Sequence, residues 1–134
     1  GESGPDFSVG GIRVTFLGRL DDQGLRDAYS AANVMVVPSR LDNFPSTAVE
    51  AQTSGAPVIA FRVGGLPDIV EDGVTGLLCD PFETDQMVDA LEKILAHPEI
   101  EQEFGMNARA RAKRLWAPRT VARAYLEVLK DAAR

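Results

Sequence analysis

Short, wholly apolar runs alternate along this chain with longer stretches in which apolar residues recur every three or four positions. That alternation predicts strands covered on both faces by helices. Residues 12–17 alternate around β-branched side chains and stop at Gly18, as a strand entering a turn does. Residues 25–32 read as a short helix ended by Asn33, and 34–37 as an uninterrupted apolar strand stopped by Pro38. A helix is predicted over 47–54, with Gly55 at its C-cap and Pro57 just beyond. The strand 57–61 follows, then the turn Val63-Gly64-Gly65, after which Pro67 opens a single helical turn through Val70. Gly73 and Gly76 bracket a turn before a short strand over 76–79. Beyond it only helical periodicity remains, over 83–96, about 100–115 and 119–133, with His97-Pro98 separating the first two.

The predicted fold class is α/β. It is a Rossmann-like parallel sheet with helices on both faces, right-handed crossovers and a helical C-terminus. Residues 1–11 read as a flexible start or a remnant of cloning, and 12–134 as the folded unit.

Composition narrows the function. With 20 acids against 14 Lys and Arg the formal charge is −6, which argues against nucleic acid as a partner. Cys79 and His97 are single residues of their kinds, so one chain holds neither a disulfide framework nor a Cys/His zinc site. A reducing, cytoplasmic setting is the expectation. No apolar run approaches the ~20 residues of a membrane span. Between Phe104 and Leu126 there is no acid, while Arg109, Arg111, Lys113, Arg114, Arg119 and Arg123 form a basic zone. Their spacing spreads around the helix, as on a solvated face. Cys79 is expected to be a small core side chain and His97 a helix-end residue.

The candidate chemistry lies between Val34 and Gly76. Ligands of an open parallel sheet bind beyond the carboxyl ends of its strands, and the loops over 39–46 and 62–67 are both expected on that rim. A helix starting near Thr47 would aim unpaired N–H groups at the loop mouth, a setting for phosphate. Asp42 and Glu50, eight positions apart, suit sugar hydroxyls, which they would accept in pairs. Each feature also has a plainer reading. Thr47-x-x-Glu50 is a capping box, Leu41-Asp42-Asn43 a turn, and Gly64-Gly65 a tight bend.

The order of these features is more specific than any one of them. A strand, Pro38-Ser39, Asp42-x7-Glu50, Ala51, Gly55-x-Pro57-Val58-Ile59-Ala60, Gly64-Gly65, Asp68-Ile69-Val70 and Gly73-x-x-Gly76-x-Leu78 follow one another. This series resembles the C-terminal, nucleotide-sugar-binding domain of GT-B fold retaining glycosyltransferases of family 4. The resemblance runs from about Val14 to Leu129 and takes in Trp116-x-x-x-x-Val121-Ala122-x-x-Tyr125.

By that resemblance 12–134 is a partial donor-binding domain. Asp42 would contact the donor hexose, Phe44, Ser46 and Thr47 would line its loop, and Glu50 would bind the ribose hydroxyls. The family usually has Glu followed by Gly-x-Gly where this chain has Asp42-Asn43-Phe44-Pro45. The shorter acid reaches less far, and Pro45 offers no amide donor. The resemblance also implies an upstream strand with basic residues for the diphosphate and a separate N-terminal domain for the acceptor. The activity it implies is transfer of a sugar from a nucleoside diphosphate sugar to an acceptor hydroxyl on a glycan, a lipid or a small molecule. Cofactors and metals are not expected, fixed donors and basic groups stabilising the departing diphosphate instead. The chain alone is expected to be inactive, and the whole protein cytoplasmic or peripheral at the inner face of a membrane. Two rivals remain at this stage, a non-catalytic nucleotide-binding or interaction domain and a GT-B nucleotide-sugar epimerase.

Overall fold

The computed structural model describes residues 4–134. It begins with an antiparallel hairpin, β1 (Phe7–Val9) and β2 (Ile12–Val14), in which Val9 faces Ile12 across the turn. The predicted strand over 12–17 is therefore shorter than expected, and it pairs backwards instead of joining the parallel sheet. Gly10 and Gly11 explain this, since their φ values of 56° and 82° are the pair of left-handed conformations a two-residue hairpin turn requires. Part of the stretch read as a flexible start is thus strand.

Helix α1 (Asp22–Ala31) starts three residues before the position predicted, because the Asp21 carboxylate accepts the Gly24 N–H at 2.8 Å as an N-cap. The core follows as β3 (Met35–Val37), α2 (Ser46–Thr53), β4 (Val58–Phe61), α3 (Leu66–Ile69) and β5 (Gly76–Cys79). These strands form one parallel sheet in the order β3-β4-β5, with Met35 opposite Val58 and Val58 opposite Gly76.

Strand β4 is central, and all four of its residues are buried. Val58 and Ala60 join a cluster with Tyr29, Ala48, Ala51, Leu66 and Ile69 from the helices on one face. Ile59 and Phe61 point the other way, into Met87, Ala90, Ile94 and Phe104. Burying a Val, Ile or Phe side chain stabilises by about 1.5–3 kcal/mol, so this short strand anchors both layers. Among the described residues β3 is an edge strand, and Val34, Met35 and Val36 are half-buried where full cover was expected.

The second layer is α4 (Thr84–Ala96) with the start of α5 (Pro98–Trp116); His97 ends the one and precedes the other, as expected. Cys79 is buried, and its thiol is pushed up by that burial and further by the Asp72 and Asp80 charges, against a smaller opposing effect of Arg62. The last helix, α6 (Pro118–Ala132), packs on α5 and buries none of its residues.

Candidate functional site

Three loops leave the carboxyl ends of the parallel strands, and two of them touch. The Gly65 N–H donates to the Asp42 carbonyl oxygen at 3.1 Å, so the loop after β3 and the turn after β4 share one rim as expected. Gly64 and Gly65 are required there. A β-carbon on Gly64 would overlap the Asp42 carbonyl, one on Gly65 the Asn43 carbonyl, and Gly64 has φ of 52°.

The loop holds its own acid. Asp42 Oδ1 accepts the Phe44 N–H at 3.2 Å, closing a local turn. Phe44 is half exposed, and its ring meets Trp116 edge-on with centroids 6.4 Å apart. Ser46 and Thr47 follow, exposed in the first turn of α2.

Helix α2 corrects one reading of the sequence. Its N-cap is Pro45, with no side-chain cap bond, and the Pro45 carbonyl accepts the Ala48 N–H at 3.2 Å. Thr47 lies inside the helix and Glu50 in its second turn, so the capping box Thr47-x-x-Glu50 does not form. The proline ring, with φ near −68°, starts the helix before Thr47 can act as its cap. The first amides of α2 therefore stay uncapped by side chains, and Glu50 is released from a capping role.

Glu50 lies instead on the wall of a groove of ≈ 460 Å³ between α1 and α2, shared with Tyr29, Arg26, Asp22 and Arg109. The Tyr29 hydroxyl is pushed above its usual range by burial first, then by the Glu50 charge and its hydrogen bond to that carboxylate. A nearly buried tyrosine and an exposed acid thus share one groove wall. Asp42, Phe44, Ser46 and Thr47 are not among the groove's lining residues, so the structure separates a loop group from Glu50. Ser46 is the link, because it stands four positions before Glu50 and so on the same face of α2.

Tyr29 was not singled out from the sequence. Its signal was available: a tyrosine at an apolar helical position needs a partner for its hydroxyl. Nor was Arg111 separated from the basic zone, although its guanidinium donates to the Ile69 and Asp68 carbonyls and is largely buried. Among the described residues no group of three or more His, Cys, Asp or Glu side chains is placed to hold a metal, and no helix is long and apolar enough to cross a membrane.

The family model for glycosyl transferases group 1 matches residues 10–111. The chain belongs to this family. A D-inositol 3-phosphate glycosyltransferase of Saccharomonospora viridis is 40% identical over 117 residues, which are 87% of this chain and 27% of that protein. Anabaena Alr3699/HepE, solved in complex with UDP-glucose, superposes with a TM-score of 0.80 at 28% identity over 89% of this chain and 32% of its own. The C-terminal domain of a glycosyl transferase group 1 family protein (LpcC) from Francisella tularensis gives a TM-score of 0.66 at 25% identity, covering 75% of this chain and 52% of that one. The fold is thus that of the C-terminal, nucleotide-sugar-binding domain of GT-B glycosyltransferases, and the chain spans about a third or less of the first two relatives' lengths.

Proposed function

We propose that this chain supplies the donor side of a retaining glycosyltransferase that moves a hexose from a nucleoside diphosphate sugar to an acceptor hydroxyl. The observation that carries this reading is the release of Glu50 from the cap of its own helix into a groove that it shares with Tyr29. An exposed acid one turn below an uncapped helix start fits a ribose bound beside a diphosphate. Its two oxygens accept the vicinal hydroxyls, and the N–H groups at Ser46 and Thr47 face the phosphates.

In this reading the loop group takes the sugar. Asp42, set by the Phe44 N–H and the Gly65 contact, accepts hexose hydroxyls, while Phe44, Ser46 and Thr47 line the cavity. As the bond to the anomeric carbon breaks, charge grows on the diphosphate, and fixed amides stabilise that charge without reorganising. UDP-glucose bound to HepE supports a uridine donor. Acceptor binding and the basic groups for the diphosphate would come from further regions of a longer protein, so this chain alone would not turn over. The cytoplasm, where nucleoside diphosphate sugars are made, is the setting we assign. Adding UDP-glucose to the chain and following amide shifts tests the reading: shifts should gather at 42–50, 64–65 and the groove wall at 22–30, and a response that spares 42–50 would contradict it.

A further inference from the structure

Trp116, the only tryptophan, closes α5 at the bend into α6 and is half-buried against the cluster that holds Ala48, Ala51 and Leu66. Two groups flank its ring. The Phe44 ring approaches edge-on at 6.4 Å and 83°, and the Arg111 guanidinium carbon lies 5.6 Å from the ring centroid. Arg111 is itself fixed: Nη1 donates to the Ile69 carbonyl at 2.6 Å, Nη2 to the Asp68 carbonyl at 2.9 Å, and Nε lies 3.5 Å from Glu71. Those carbonyls belong to α3, whose N-cap Gly65 donates to Asp42.

The contacts close a circuit. From Asp42 it runs through Gly65 and α3 to Arg111, then through Trp116 to Phe44, whose N–H returns to the Asp42 carboxylate. A half-exposed phenylalanine in an irregular loop has few ways to be held, and a ring that fixes it fixes the direction of the neighbouring acid as well. We propose that Trp116, backed by Arg111, is a positioning residue for the donor loop. It would set Phe44, and through it the Asp42 turn, without touching the sugar. The consequence for ligand binding rests on the donor-site reading above; the consequence for loop order does not.

The experiment compares the wild-type chain with Trp116→Ala, Trp116→Phe and Phe44→Ala, first without ligand and then with UDP-glucose. Amide order parameters over 42–44 and at Ser46 should fall from about 0.85, typical of rigid backbone, toward about 0.6 in Trp116→Ala, with β4 unchanged. Trp116→Phe should restore them. Phe44 is half exposed, so its replacement leaves the core intact; it should loosen the same amides and shift the emission of Trp116. UDP-glucose should bind Trp116→Ala roughly three- to tenfold more weakly, the scale of one aromatic pair, and recover in Trp116→Phe. Should Trp116→Ala not fold, Phe44→Ala decides alone. Unchanged loop order in the folded variants overturns the proposal whether or not the donor binds. A loosened loop with unchanged affinity overturns its role in binding, whereas a loop loosened in the variants together with a wild-type chain that ignores UDP-glucose removes the donor reading only.

Discussion

The Asp42 carbonyl and the Gly65 N–H, 3.1 Å apart, join the loops after two neighbouring parallel strands into one rim. The loop group of the site rests on that stitch, because Asp42 precedes the start of α2 by four residues and Gly65 caps α3.

Gly65→Ala should break it. The added β-carbon would meet the Asn43 carbonyl, which is backbone and gives way only if the loop moves. The expected cost is about 1–3 kcal/mol, as for other overpacked sites, read as a lower midpoint in urea. Amide shifts over 42–46 should change in the same variant, and a variant as stable as wild type with an unmoved loop would contradict this packing.

Glu50→Gln should leave stability nearly unaltered, since the carboxylate closes no capping box and is exposed. Its effect should fall on the nucleotide instead. A hydrogen bond to a charged group contributes about 1.5–3 kcal/mol, so UDP-glucose affinity should drop about tenfold or more. Equal affinity would remove Glu50 from the site.

Tyr29→Phe tests, through pH, the burial of the Tyr29 hydroxyl beside Glu50. Burial, then the Glu50 charge and hydrogen bond, raise the folded-state pKa of Tyr29 above its ordinary 10.0. A raised pKa means that the unfolded chain releases this proton first, so the contribution to stability is complete below pH 10.0 and declines as pH rises through the folded value. Wild type should therefore lose stability more steeply than Tyr29→Phe above that pH in urea titrations. Cys79 is present in both proteins, and its own alkaline loss cancels in the comparison. Parallel curves would show that the hydroxyl is not buried beside Glu50.

Much of this was legible in the residues, and what was missed has physical causes. The apolar run at β4, stopped by Gly64-Gly65, gave its strand, its burial and its rim, because a strand covered on both faces has no polar side to confuse the pattern. Periodicity in Met87, Leu91 and Ile94 gave α4 to within a residue. The hairpin was missed although Gly10-Gly11 is a hairpin signal, since strands of three residues carry too little alternation to register. The capping box matched its spacing but not its context: Pro45 starts α2 one residue early. Tyr29 meets Glu50 across two helices, a contact that no local pattern encodes. The roles proposed for Asp42, Phe44, Ser46, Thr47 and Glu50 came from a resemblance, and the geometry adds where each of them stands.

Titration of the isolated chain with UDP-glucose, followed by backbone amide shifts, is the most direct test of the donor-site account. On the proposed reading Glu50 and the amides at the start of α2 would hold one side of the ligand, and the loss of ligand freedom would offset most of what they contribute. The account predicts saturable shifts at Phe44, Ser46, Thr47, Glu50 and Gly65, with a dissociation constant around or above ~1 mM, about −4 kcal/mol. Micromolar binding, or shifts that spare α2 and gather elsewhere, would contradict it.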